Sequence, residues 1–143
     1  MIAVREACPA DLPALAALER ACFPDPWSAE SLRSGLARPE NRFFVLEDGR
    51  EVRAYAAVRT VLEEAELLRI AVDPAFRGRG SGRILLEEVL QAVPEAAVWR
   101  LDVRAGNTAA LRLYERCGFE KLVLNRGFYT DPAEDGWLMQ RGS

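Results

Sequence analysis

Apolar and polar positions first alternate over residues 2–6, IAVRE, which predicts a short strand. In PADLPALAALERACF, Leu12, Leu15, Ala16 and Leu18 fall on one helical face, with Asp11 as the expected N-cap. The two prolines of FPDPW end that helix, because proline lacks an amide donor and its ring clashes with the preceding turn. Ser28 caps a second short helix, SAESLRSGLA. RFFVLEDGREVRAYAAVRTVLEEAELLRIAV then reads as three strands, with a strong hairpin turn at Asp48-Gly49 and a weaker one near Glu63-Glu64. A helix is expected from Gly80 to Val93, with Ile84, Leu85, Leu86 and Val89 facing inward and Pro94 as its stop. AAVWRLDVRA reads as a strand. Asn107 caps the helix TAALRLYERCG, which closes at Gly118. FEKLVLNRGFY and GWLMQ are the last strands, joined by the polar loop TDPAED.

The expected order is β-α-α-β-β-β-α-β-α-β-β. The central β-α-β demands parallel pairing, whereas hairpins elsewhere demand antiparallel pairing. This is a mixed α/β domain over residues 1–143, neither a doubly wound sheet nor a bundle. With 143 residues, half of them hydrophobic and 29% charged, the chain can bury one core beneath a solvated surface. No apolar run reaches the length of a membrane span, and the first residues do not read as a secretory signal, so a cytoplasmic protein is expected. A net charge of −3 argues against nucleic-acid binding and suits a basic peptide or protein partner. Cys8, Cys22 and Cys117 have no C-x-x-C spacing and read as reduced thiols. The chain has no histidine, so Ser-His and Cys-His nucleophile pairs are ruled out and no metal site is expected. Acid–base work falls to Asp, Glu, Tyr, Cys or Lys.

The densest chemical signal is RIAVDPAFRGRGSGRILLEEVL. A strand runs into an Asp-Pro turn, then glycines at every second position among arginines, then a helix. Arg77, Gly78, Arg79, Gly80, Ser81 and Gly82 can set bare backbone amides around an anion at a helix start. A flexible turn with solvated arginines is the plain alternative. No G-K-[ST] follows, which disfavours a mononucleotide P-loop, and the G-x-G-x-G spacing comes too late in the chain for a Rossmann fingerprint. A pyrophosphate on another carrier remains.

This stretch resembles the acyl-CoA-binding motif of the Gcn5-related N-acetyltransferases, Arg/Gln-x-x-Gly-x-Gly/Ala, with Arg77, Gly80 and Gly82 at the defining places. CFPDPWSAESL, LDVRAGNTAALRLYERCGF and NRGFYTDPAEDGWLM extend the likeness over nearly the whole chain, toward the RimI-type ribosomal-protein-alanine N-acetyltransferases. The resemblance implies acetyl-CoA as cosubstrate and the N-terminal peptide of a ribosomal protein as acceptor. It implies direct attack of the α-amine on the thioester without a covalent enzyme intermediate. Ile70, Ala71 and Val72 then match the strand whose backbone holds the pantetheine arm and offers an N–H to the thioester carbonyl. Residues 77–82 match the pyrophosphate loop. Asn107 matches a cofactor contact besides its capping role, and Tyr114 matches the general acid. Phe23 and Trp27 match one wall of a peptide groove, and Arg126, Phe128 and Tyr129 match a substrate-binding stretch whose loop closes over the peptide. Asp131, Glu134 and Asp135 either attract a positive N-terminus or belong to a solvated loop.

Read without that likeness, Tyr114 and Cys117 are core residues and Trp27 is a hydrophobic staple. The general base is where the chain departs from the pattern, which carries Glu in L-E-V-R-A-x-N. Here LDVRAGN places Asp102, whose carboxylate is withdrawn by about 1.5 Å and needs a bridging water. Strand alternation turns Asp102 away from Leu101 and Val103. Glu66 is the rival, expected on the same strand face as Leu68 and Ile70. The amine matters too: an α-amine is about 10–20% neutral at pH 7, a lysine only about 0.04%. A small-molecule amine acetyltransferase and a non-catalytic acyl-CoA-binding module are the competing functions.

Overall fold

A computed structural model describes residues 1–142. Eleven elements follow in the expected order: β1 (Ile2–Glu6), α1 (Leu12–Cys22), α2 (Ala29–Ala37), β2 (Asn41–Asp48), β3 (Glu51–Val61), β4 (Glu64–Val72), α3 (Ser81–Ala92), β5 (Val98–Arg104), α4 (Thr108–Arg116), β6 (Glu120–Thr130) and β7 (Ala133–Gly142). The strands form one sheet in the order β1-β2-β3-β4-β5-β7-β6. Among the described residues only β4 and β5, the pair joined through α3, run parallel.

Each face of the sheet is buried by two helices. Leu15 and Leu18 of α1 and Leu32 of α2 pack on Phe43, Val45 and Tyr55. Leu85, Leu86 and Val89 of α3 and Leu111 and Tyr114 of α4 pack on Trp99, Leu101 and Met139 from the other side. Burial of this apolar area, at about 25 cal/mol per Å², is the main force holding the layers together.

Several expectations are corrected. Asp11 occupies the N-cap position of α1, but its side chain makes no capping bond to that helix. It closes a 3-10 turn at Pro9–Asp11, where its carboxylate accepts from the Cys8 amide (2.8 Å) and from two nitrogens of Arg5 (2.8 and 2.9 Å). Ile84 is 40% exposed, because the inward stripe of α3 runs through Ser81, Leu85, Leu86 and Val89. The β3–β4 turn lies at Leu62-Glu63, with Leu62 in the left-handed region. The segment 130–135 is no open loop: β6 runs to Thr130, β7 begins at Ala133, and only Asp131-Pro132 separates them.

Two irregularities in β4 prepare the site. Ala57 faces Arg69 and Val58 faces Leu67, so Leu68 is an extra residue, a bulge. The bulge resets the alternation: Ala65 and Leu67 face the α3/α4 core before it, Ile70 and Val72 after it, while Leu68 and Ala71 face the α1/α2 core. Glu66 is therefore not on the face of Ile70. In addition, β4 pairs with β5 only over Glu64–Glu66. Beyond that point the two strands part.

Candidate active site

The parting leaves β4 from residue 67 to 72 with no partner strand on its β5 side, so every second amide and carbonyl there faces open space. On one side of the gap is a cleft of ≈ 600 Å³, lined by Ile70, Ala71 and Val72, by the loop at 76–83 and by α4. Gly78 and Gly80 adopt φ of +80° and +78°, the left-handed conformation that glycine enters without strain. Gly80 is the N-cap of α3 and has no side chain to satisfy the first turn. The amides that open α3 are thus left for an anion, with the positive end of the helix dipole behind them. Ser81 is buried and its hydroxyl has no partner among the described residues. At Gly82 an added Cβ would lie 3.4 Å from Leu113 and 3.6 Å from Val72, which sets how closely α3 approaches α4.

Arg77 turns back to donate to the Val72 carbonyl (3.3 Å) at the mouth of the cleft. Arg79, unlike the rest of the 76–83 segment, does not line the cleft; it stacks on Phe76, which does (4.6 Å to the ring centroid). Arg112 and Arg116 of α4 also line the cleft. They escaped the sequence reading, although their i,i+4 spacing is a visible basic stripe.

A second cleft, ≈ 460 Å³, opens on the other side and shares Cys22, Phe23, Ile70, Asn107 and Ala110 with the first. The two volumes meet where β4 and β5 part. Asn107 sits at this junction, and its side chain accepts from the Ala110 amide (3.1 Å) as the cap of α4. Tyr114, two turns on, lines the second cleft, is buried, and packs edge-on to Phe119 (6.0 Å). Burial pushes its phenol above the ordinary value, so it stays protonated at neutral pH.

Asp102 extends into the same cleft while Leu101 and Val103 beside it are buried. Desolvation, and secondarily the charge of Glu66, raises its carboxyl above the usual carboxylate range. Glu66 borders the cleft as well, but its carboxylate is held by Arg59.

Phe23 and Trp27 form one wall of the second cleft, Phe128 and Tyr129 the other. Arg104 stacks on Tyr129 (4.3 Å) and donates to the backbone carbonyls of Asp131 (3.1 Å) and Pro132 (2.9 Å). Glu134 receives the Gly106 amide (2.7 Å) and Arg104 (3.2 Å), tying the β6–β7 turn to the start of α4. Asp135 accepts from the Gly127 amide (2.8 Å). Both carboxylates are thus spent on the hairpin rather than turned toward an incoming amine. Arg126 is exposed where β6 breaks its pairing with β7, and it lines neither cleft. Cys117 is buried next to Gly118, and burial raises its thiol pKa, which disfavours the nucleophilic thiolate.

The arrangement suits a reaction between two substrates that enter from opposite sides. One side offers amides and arginines for a phosphate-bearing ligand. The other offers a carboxylate able to take a proton and a phenol able to give one.

A model described as the acetyltransferase (GNAT) family matches residues 12–119. Over 134 residues the chain is 37% identical to the ribosomal protein bS18-alanine N-acetyltransferase of Escherichia coli, covering 90% of this chain and 89% of that protein. It is 38% identical over 140 residues to N-alpha-acetyltransferase RimI of Mycobacterium tuberculosis, covering 94% and 88%. The crystal structure of the ribosomal-protein-alanine N-acetyltransferase from Escherichia coli matches with a TM-score of 0.91 at 34% identity, over 99% of this chain and 93% of that one.

Proposed function

The chain belongs to the acetyltransferase (GNAT) family, and on that premise we propose that it transfers the acetyl group of acetyl-CoA to the N-terminal alanine of a small-subunit ribosomal protein. The observation that carries the reading is the meeting of two clefts at the gap between β4 and β5, with Asp102 and Tyr114 both bordering the acceptor side. The substrate class implies that the protein works in the cytoplasm.

In this reading the pyrophosphate of acetyl-CoA rests on the amides that open α3, and the pantetheine arm runs along the unpaired edge of β4. Amides at Ile70–Val72 polarise the thioester carbonyl. The acceptor peptide enters between Phe23/Trp27 and Phe128/Tyr129, which leads its α-amine to the carbonyl carbon. The amine loses a proton through a water to Asp102, whose raised pKa makes it a better base than an ordinary aspartate. Glu66, held in an ion pair by Arg59, adds its negative charge to the desolvation that raises Asp102. The C–N bond forms as the C–S bond breaks. Tyr114 protonates the departing thiolate and is reprotonated from solvent.

An α-amine presents far more neutral base at pH 7 than a lysine, so modest base assistance suffices. The test is acetyl-CoA turnover with an Ala-starting ribosomal peptide, with the same peptide pre-acetylated, and with polyamines and aminoglycosides. The expected result is turnover only with the free peptide N-terminus. Turnover confined to the polyamines or aminoglycosides would replace the acceptor class, and acetyl-CoA binding without any turnover would support a binding module.

A further inference from the structure

The wall Phe23–Trp27 has an unusual mechanical problem. It joins α1 to α2, carries two prolines without amide donors, and lies outside every helix and strand, so no backbone ladder holds it. Besides the Phe23 amide, which donates to the Glu19 carbonyl (3.0 Å), and apolar packing on the α1/α2 core, what holds it is an ion pair. Arg69, on β4 next to Ile70, places its guanidinium over the rings of Phe23 (4.1 Å) and Trp27 (4.5 Å) and donates to the Asp25 carbonyl (2.9 Å). Glu19 of α1, fully buried, lies 3.4 Å from the same guanidinium. Its carboxylate also receives the Trp27 amide (2.7 Å) and the hydroxyl of Tyr55.

A buried carboxylate on the apolar face of a helix is costly unless its partners are fixed. Here those partners are β3, through Tyr55, β4, through Arg69, and the wall itself. Arg69 is suited to the task by its chemistry: a planar cation can cover aromatic faces and still donate along its edge, which an ammonium does less well.

We propose that Arg69, oriented by Glu19, is a positioning residue that fixes the aromatic wall against β4 and so sets the width of the acceptor cleft. It touches neither the reacting atoms nor the acyl donor. Its influence is on how the acceptor peptide is seated, and to that extent the inference rests on the N-terminal acetyltransferase reading. Loosening the wall removes binding made equally in ground and transition states, which raises KM and spares kcat.

The experiment compares Arg69→Met, Arg69→Lys and the double variant Glu19→Gln/Arg69→Met with the wild type. Readouts are peptide KM and kcat, acetyl-CoA Kd, Tm, and hydrogen exchange of the amides at 23–28. Arg69→Met should raise peptide KM about 10-fold or more, leave kcat and acetyl-CoA Kd within about 3-fold, and speed exchange at 23–28. It also strands the buried Glu19 charge and should lower Tm. The double variant removes both charges, so its Tm should recover while KM stays high and exchange stays fast. Arg69→Lys should restore neither fully.

Wild-type KM and exchange in Arg69→Met would overturn the proposal. So would fast exchange with unchanged KM, recovery of KM along with Tm in the double variant, or full rescue by lysine. If the wild type acetylates no peptide, the functional reading falls. Exchange at 23–28 then decides the clamp alone: acceleration in Arg69→Met and in the double variant supports it, and none overturns it.

Discussion

Replacing Tyr114 by Phe separates catalysis from packing at this position. Tyr114 is 7% exposed, its ring lies against Phe119, and its hydroxyl has no hydrogen-bond partner among the described residues while the residue borders the acceptor cleft. Phe keeps the ring and its contacts. Because no buried partner is left unsatisfied, the stability change should stay within about 0.5 kcal/mol, far below the 1–3 kcal/mol that follows when a bonded hydroxyl is removed. Loss of a general acid should lower kcat about 10²-fold, equivalent to about 2.7 kcal/mol of barrier, with acetyl-CoA affinity intact. The assay is steady-state thiol release with the Ala-starting peptide, paired with a urea denaturation curve. Burial holds the phenol above its ordinary range, so the wild-type profile should also show no loss of activity from this group up to pH 10. A variant with unchanged kcat would refute the acid role, leaving the thiolate to take its proton from water. A fall in stability of several kcal/mol would refute the unpartnered hydroxyl.

Asp102→Asn should reduce kcat/KM about 10²-fold below the pKa of the amine, whereas Asp102→Glu retains activity; a silent Asp102→Asn with an inactive Glu66→Gln would transfer the role to Glu66. Glu66→Gln carries its own signature: losing the neighbouring negative charge should lower the pKa of Asp102 and shift the acid limb of the kcat/KM profile to lower pH, and an unmoved limb refutes the coupling. Gly82→Val meets only side-chain carbons of Leu113 and Val72, so it should stay folded yet weaken acetyl-CoA binding about 10-fold or more by calorimetry, while Gly80→Val adds about 1–3 kcal/mol of backbone strain from its φ of +78°. Unchanged affinity in both would remove the phosphate from that loop. Asp11, held by Arg5 to a pKa of about 2, contributes stability that is complete above pH ~4 and lost as pH falls through about 2. Asp11→Asn should therefore cost up to about 2 kcal/mol at pH 7 in urea melts, with the difference from wild type closing toward pH 2.

Periodicity made the order of elements legible because each helix and strand buries one face, and the glycine loop was legible because φ near +80° at Gly78 and Gly80 needs glycine. The position of Asp102 followed from alternation alone, since β5 has no bulge in its pairing with β7. Glu66 shows where that logic stops. Counting by twos from Glu66 to Ile70 assumes an unbroken pleat, but the extra residue at Leu68 resets the count, and nothing in EAELLRIAV marks it. The bulge arises from the pairing with β3, a long-range fact that a single strand does not carry.

Its consequence reaches the site. With one residue inserted, Leu68, Arg69 and Ala71 come to one side of β4 and Ile70 and Val72 to the other. In an unbroken pleat, a strand that kept Ala65 and Leu67 in the α3/α4 core would turn Arg69 toward that apolar core and Ile70 away from it. The inserted residue instead puts Arg69 under the aromatic wall and returns Ile70 to the α3/α4 side, at the junction of the two clefts. Glu19 gave a fainter sign of the same arrangement: a carboxylate four residues after Leu15 and three after Ala16 interrupts the apolar stripe of α1. Such a charge folds only when a cation waits opposite. The cation is Arg69, and the bulge at Leu68 is what puts it there.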